Sequence, residues 1–207
     1  MKIGILGFGS VGKKLAQLFS DTGHTVTIGV RNPADVSNSS IGFETASFAQ
    51  TAAKVEVLVL AIPYQAALEI LKSLTSELAN KIVIDSTNPL NPDWSPLLLG
   101  QENSAGEEIQ RALPQSFVIK AFNTIFADVM QKESHNRAGH SITAFLAGND
   151  AAAKGKIISL TKECGFAPVD TGDITSARYL EAMAHLNIRI AVALQGGTSA
   201  AFFYHQV

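Results

Sequence analysis

The residues with the plainest chemical purpose stand near the start of the chain. Gly7-Phe8-Gly9-Ser10-Val11-Gly12 has the G-x-G-x-x-G spacing, which suits a dinucleotide pyrophosphate when it links a strand to a helix. In that setting Gly7 permits a tight turn, Gly9 lets the backbone approach the phosphates, and Gly12 lets helix and strand pack closely. Phe8, Ser10 and Val11 complete the loop, and the N–H groups of the helix it opens favour an anion. The same glycines would also serve an ordinary turn, so context decides. Apolar Lys2–Leu6 precedes them, and Val11, Leu15, Leu18 and Phe19 recur behind them at the spacing of one buried helical face.

The next strand end bears on which dinucleotide is expected. A carboxylate about 20 residues past the glycines binds the ribose 2′-OH of NAD. Here Thr27-Ile28-Gly29-Val30-Arg31-Asn32-Pro33 offers none before Asp35. Arg31 instead can grip a 2′-phosphate with two N–H groups and lie flat on the adenine. NADP(H) is therefore the expected cofactor, with Asn32 and Ser37 as further hydrogen-bonding candidates; a solvated surface arginine is the alternative. Ala61-Ile62-Pro63-Tyr64 ends the strand that should border the crevice, so Ala61, Ile62 and Pro63 are candidate contacts to the adenosine or ribose. Asn88, within Asp85-Ser86-Thr87-Asn88-Pro89, and Ala121 and Asn123, within Ala121-Phe122-Asn123-Thr124, should reach the nicotinamide end. Turn and cap chemistry would explain these polar groups equally well.

Acid–base chemistry has weaker support. His185 follows Glu181 by one helical turn and is the candidate proton donor should the substrate be a carbonyl or imine, with Tyr64 as a second. A structural Glu181–His185 pair, and an Arg178–Glu181 ion pair on the same helix, are the bland alternatives. No metal-ligand spacing links the histidines, and no metal is expected. Cys164 is the single cysteine; it falls near a helix C-terminus, where a thiolate is not favoured.

These residues need a scaffold of alternating strands and helices, and the chain supplies one. Lys2–Leu6, Thr25–Val30, Val55–Ile62, Lys81–Asp85, Phe117–Ala121, Ser141–Ala147 and Ala167–Asp170 read as strands, mostly apolar on both faces as in a covered parallel sheet. Ala67, Leu71, Leu74 and Leu78 mark a helix after Pro63. Ser104 followed by Glu107 starts another towards Leu113. Asp150 caps one that ends at Gly165, and a last helix covers roughly 176–194. The α/β order predicts a Rossmann-like, doubly wound, mostly parallel sheet with helices on both faces and a small C-terminal helical extension. It is read as one domain over 1–207, with a core of about 1–148 and an extension of about 149–207. The loop between Asn88 and Asn103 holds three prolines and Trp94, and its apolar content suits a packed site wall.

Of 207 residues, 46% are hydrophobic and 16% charged, with net charge −2. That composition excludes general disorder and offers no basic footprint for nucleic acid. No apolar run reaches the ~20 residues of a membrane span, and Met1–Phe8 lacks a clean signal-peptide cleavage site. The expectation is a cytoplasmic protein with no nucleic-acid or membrane partner. The aromatic tail Phe202-Phe203-Tyr204 should either close over the crevice or pack, with the last helix, against a second copy in a homodimer.

Several separated segments together resemble the deazaflavin (coenzyme F420)-dependent NADP oxidoreductase family. They are the glycine turn, Thr27–Asn32, Ser86-Thr87-Asn88-Pro89-Leu90, Ser104–Gln110, Val118–Thr124, and Asp170–Asp173 with Ala177–Glu181. The oxidoreductase domain of STEAP metalloreductases and the N-terminal domain of pyrroline-carboxylate reductases are more distant likenesses. The resemblance implies NADP(H) contacts from Gly9, Ser10, Val11, Arg31, Ile62 and Ala121, and hydride exchange with a flavin, deazaflavin or similar small redox co-substrate. Val30 departs from the Ser or Thr that the family often places before the arginine. The function expected is an NADP(H)-dependent oxidoreductase. The alternatives are a carbonyl or imine reductase, which needs a proton donor, and a non-catalytic NADP-sensing module.

Overall fold

Six parallel strands form the part of the sheet that carries the glycine turn. In chain order they are β1 (Lys2–Leu6), β2 (Thr25–Val30), β3 (Glu44–Ser47), β4 (Val57–Leu60), β5 (Ile82–Asp85) and β6 (Phe117–Lys120). A short hairpin of β7 (Asn136–Arg137) and β8 (His140–Ser141) stands apart from the sheet. Next to β6 come β9 (Thr143–Gly148), antiparallel to it, and β10 (Ala167–Asp170), parallel to β9. The spatial order is β10-β9-β6-β5-β4-β1-β2-β3. The chain therefore crosses from one side of β1 to the other between β3 and β4, the switch point at which open α/β sheets form a crevice. The computed structural model describes residues 1–33 and 42–206. Asp35 and Ser37 lie outside the described residues.

The helices are α1 (Ser10–Asp21), α2 (Phe48–Lys54), α3 (Tyr64–Leu71), α4 (Ala105–Ala112), α5 (Ala151–Glu163) and α6 (Ala177–Ile188), the last running on into a π-helical turn at Arg189–Ala193. Strand side chains alternate in direction, and the sheet has two apolar faces. Ile3, Ile5, Ile28, Val59 and Ile84 meet Leu15 and Phe19 of α1 and Ile157 and Leu160 of α5. Leu6, Leu58, Leu60, Val83 and Val118 meet Ala52 of α2, Leu71 of α3 and Ile109 of α4. Each such Leu or Ile contributes about 1.5–3 kcal/mol when taken out of water, which is what fixes the strand ends beneath the site.

Local signals act where the sequence places them. The Ser104 hydroxyl accepts from Glu107 N–H at 3.2 Å, and the Asp150 carboxylate accepts from Ala153 N–H at 2.7 Å. Gly165 takes φ +90° behind α5. Three features differ from the sequence reading. An edge strand, β3, and its helix α2 follow β2; the Ser47–Gln50 capping box that starts α2 was the readable signal. Leu74 and Leu78 are buried in turns after α3 has ended at Leu71. The last helix buries one face only, leaving Tyr179, Leu186, Ile190, Val192 and Leu194 exposed.

Candidate active site

A crevice of about 850 Å³ lies over the C-terminal ends of β1, β4, β5 and β6, within the range of small-molecule sites. Its floor starts at the glycine turn. A Cβ on Gly7 would sit 2.4 Å from the Ala61 carbonyl oxygen, and one on Gly12 would sit 2.3 Å from the Gly7 carbonyl oxygen. Both positions exclude any side chain so that α1 can press against β1 and β4. Gly9 differs: a Cβ there would meet nothing within 4 Å. It faces the crevice as the N-cap of α1, whose first turn holds no acidic residue and no side-chain cap. That end of the helix is suited to a phosphate.

The structure brings together Gly9, Ser10, Val11, Ala61, Ile62, Pro63, Asn88 and Asn123 around one cavity. Gly7 and Gly12 sit beneath them as packing contacts. Phe8 lies outside the lining, edge-on to Phe43 with Lys13 over its ring. Arg31 and Asn32 are exposed just past β2, and the rung that joins the Gly7 N–H to the Gly29 carbonyl sets their distance from the turn. Ala121 lies in the core: its N–H bonds to the Asp85 carbonyl at 3.1 Å, continuing the ladder, its side chain is buried, and it is not among the crevice-lining residues. Phe122 lines the crevice instead.

Two bulky aromatic residues on this crevice occupy the left-handed region, Phe122 at φ +64° and Trp94 at φ +67°. Each such backbone costs about 1–3 kcal/mol and persists only where surrounding contacts impose it. Phe122 is held by Phe19 and Phe166 at centroid distances of 6.2 and 5.9 Å. Beside it, Asn123 Nδ2 donates to Asn88 Oδ1 at 3.0 Å and to the Leu180 carbonyl at 3.1 Å, while Asn88 Nδ2 donates to the Asn123 carbonyl at 2.8 Å. Thr87 and Asn123 both line this cavity, and Asn123 Oδ1 and Thr87 Oγ1 are buried with no protein hydrogen-bond partner among the described residues, where buried polar atoms are rarely left so. Their residue types were legible in the sequence; their lack of a partner was not.

A buried charge cluster underlies this end. Lys120 Nζ contacts Asp85 and Glu181 at 2.8 Å each and the Thr87 carbonyl at 2.7 Å. Burial alone would push its pKa down; Asp85 and Glu181 outweigh that and raise it above the ordinary lysine value. Glu181 also accepts the N–H groups of Ala105 and Gly106 at 3.0 Å, so it caps α4. The two pairings expected within α6 are therefore corrected. Arg178 makes a two-pronged bond to Glu107 at 2.6 and 2.8 Å, and Glu181 turns inward to Lys120. His185 Nε2 lies 3.0 Å from the Pro89 carbonyl, and His185 is not among the lining residues. The Tyr64 hydroxyl donates to Glu108, and burial followed by that carboxylate pushes its pKa up. His185 thus lies outside the lining, whereas Tyr64 lines the cavity with its hydroxyl engaged by Glu108. Cys164 is buried, which raises its thiol pKa to about 12 and makes it unreactive. Among the described residues no His/Cys/Asp/Glu group could hold a metal, and no helix is long and apolar enough to cross a membrane.

The family model described as NADP oxidoreductase, coenzyme F420-dependent, matches residues 2–89. The crystal structure of a candidate F420-dependent NADP reductase from Arthrobacter sp. FB24 superposes over the full length of both chains, with a TM-score of 0.89 and 35% identity. The F420-dependent NADP reductase of Methanocaldococcus jannaschii is 30% identical over 142 residues, covering 66% of this chain and 62% of that protein. Metalloreductase STEAP3 of Rattus norvegicus is 29% identical over 182 residues, covering 88% of this chain. The chain spans 36% of the length of that metalloreductase.

Proposed function

The chain belongs to the family of coenzyme F420-dependent NADP oxidoreductases, and on that premise we propose that it transfers a hydride between NADP(H) and a flavin, deazaflavin or similar small redox acceptor. The observation that carries the reading is the open space at Gly9, at the uncapped N-terminus of α1 on a crevice at the sheet's switch point. Gly7, Gly9 and Gly12, with the N–H groups of Ser10 and Val11, seat the pyrophosphate. Arg31, aided by Asn32, meets the 2′-phosphate. Ala61, Ile62 and Pro63 border the adenosine side, while Thr87, Asn88 and Asn123 orient the nicotinamide carboxamide. When bound, the nicotinamide supplies a hydride, and ring-to-ring transfer demands alignment and exclusion of water rather than a protein acid. The occupied Tyr64 hydroxyl and the His185 contact to Pro89 favour this reading over a carbonyl or imine reductase.

Purified protein should consume NADPH with flavin or deazaflavin acceptors, followed by loss of the reduced-nicotinamide absorbance. Turnover only with carbonyls or imines would overturn the acceptor assignment. Tight NADP binding with no acceptor turned over would leave a sensing module. The exposed Tyr179, Leu186, Ile190, Val192 and Leu194 support a homodimer through α6 and the tail. Light scattering at working concentration tests it, and a monomer mass sinks it.

A further inference from the structure

The buried cluster of Asp85, Lys120 and Glu181 holds more negative than positive charge. Both oxygens of each carboxylate accept an N–H. Asp85 Oδ1 takes that of Thr87 at 2.9 Å, and Asp85 Oδ2 takes that of Lys120 at 2.8 Å. Glu181 Oε1 takes those of Gly106 at 3.0 Å and Lys120 at 2.8 Å, and Glu181 Oε2 that of Ala105 at 3.0 Å. A proton on either carboxyl group would point at one of these donors, so both acids stay ionised. One ammonium against two carboxylates leaves an excess negative charge. The α4 N-terminus, worth about half a positive unit, offsets it only in part.

This excess sits directly behind the cavity wall. Thr87 lines the cavity, and both of its backbone groups end in the cluster, the N–H on Asp85 and the carbonyl on Lys120 at 2.7 Å. On the α6 side, the carbonyl of Leu180, next in the chain to Glu181, accepts from the lining residue Asn123. Tyr64 registers the field: after burial and Glu108, it is Glu181 and Asp85 that push the pKa of this crevice-lining phenol up. No described residue lining the crevice is cationic, and the exposed Asp128 is the sole charged one. Glu107, in the first turn of α4, is matched by Arg178 and adds nothing to the excess. In surroundings of low dielectric an unbalanced charge acts far more strongly than in water.

We propose that the excess negative charge of the Asp85–Lys120–Glu181 cluster makes the site hold the oxidised, cationic nicotinamide more tightly than the reduced, neutral one. The inference rests on the reading that places the nicotinamide beside Thr87, and it assigns the direction the site favours, loss of hydride from NADPH. None of the three side chains lines the cavity, so they are positioning residues that act through charge rather than contact. A tenfold preference for the oxidised form lowers the bound two-electron couple by about 30 mV.

Calorimetric titration of the full chain with NADP⁺ and, separately, with NADPH reads the ratio of the two affinities with no acceptor present. Both nucleotides carry the same phosphates, so the ratio isolates the charge of the ring. The wild type should bind NADP⁺ about tenfold more tightly than NADPH. That ratio should hold between about 0.05 M and about 0.5 M salt, because a buried cluster is screened little. A ratio that collapses with salt assigns the effect to exposed Asp128 and overturns the inference. Asp85→Asn and Glu181→Gln should each bring the ratio close to one, read in whichever variant melts cooperatively. NADPH bound by the wild type as tightly as NADP⁺, or the full ratio kept in a folded variant, also overturns it; if neither variant folds, the wild-type titrations decide. In each of these cases binding itself leaves the functional reading standing. Failure of both nucleotides to bind overturns that reading as well.

Discussion

Lys120 Nζ lies 2.8 Å from Glu181 Oε1, with both side chains buried. One contact thereby joins β6 to α6, and through Glu181 to the first turn of α4. The same ammonium grips the Thr87 carbonyl, so it fixes the strand end that carries Thr87 and Asn88 over the crevice. Replacing one member of such a cluster leaves its partners charged and dry, at a cost of about 3–5 kcal/mol. Lys120→Met should therefore lower unfolding stability by roughly that amount in urea titrations. A loss below about 1 kcal/mol would mean that the two carboxylates reach solvent or share a proton at little cost.

Gly9 and Gly12 occupy one turn for different reasons, and alanine separates them. At Gly12 the added Cβ would lie 2.3 Å from a backbone oxygen, so Gly12→Ala must force α1 away from β1 and destabilise the whole domain. At Gly9 the φ of −74° suits any residue and the Cβ has room. Gly9→Ala should melt within about 1 kcal/mol of the parent. It should nevertheless bind NADP(H) about tenfold or more weakly, since the methyl enters the space assigned to the phosphates. Thermal shift with and without NADP⁺ reads both effects, and unchanged affinity in Gly9→Ala would remove the pyrophosphate from this turn.

The strand spans Lys2–Leu6, Thr25–Val30 and Ala167–Asp170 are as read, because apolar runs bounded by turn residues are local signals. Glu44-Thr45-Ala46-Ser47 was missed because an edge strand can be short and mostly polar. The glycine turn was legible for the same local reason. The burial of Ala121 was not legible, because periodicity does not reveal that the ladder persists through it and that Phe122 then turns the chain. The spacing of Arg178, Glu181 and His185 suggested partners along α6, yet Glu107, Lys120 and Pro89 claim them across the fold. Contacts between distant segments outcompete i,i+4 pairs, which are worth only about 0.2–0.5 kcal/mol.

Arg31 tests the choice of dinucleotide. It is exposed at the end of β2, so its replacement removes little packing. A charge-assisted bond from a guanidinium to a phosphate is worth about 1.5–3 kcal/mol. Arg31→Glu should weaken NADPH by roughly 10- to 100-fold and NADH by less than about threefold, measured by titrating reduced-nicotinamide fluorescence. Parallel losses for the two nucleotides would place the 2′-phosphate elsewhere.

His135 sets a pH dependence that has nothing to do with the crevice. The side chain is 3% exposed, its ring stacked on Phe166 at 3.9 Å between centroids. Neither ring nitrogen finds a hydrogen-bond partner of good geometry among the described residues. Burial pushes its pKa below the usual 6.5, and the nearby backbone of Met130 and Cys164 offsets that only in part. Above pH 6.5 the ring is neutral in both folded and unfolded chains and adds no slope. As pH falls below that value, the unfolded chain takes up a proton that the folded one refuses, so stability declines until the folded pKa is reached. The slope from one such group cannot exceed about 1.4 kcal/mol per pH unit. His135→Phe, which keeps an aromatic ring against Phe166, should flatten the decline between about pH 6.5 and pH 5. Urea titrations of both proteins across that window decide the matter: superimposable slopes would show that His135 gains its proton while folded.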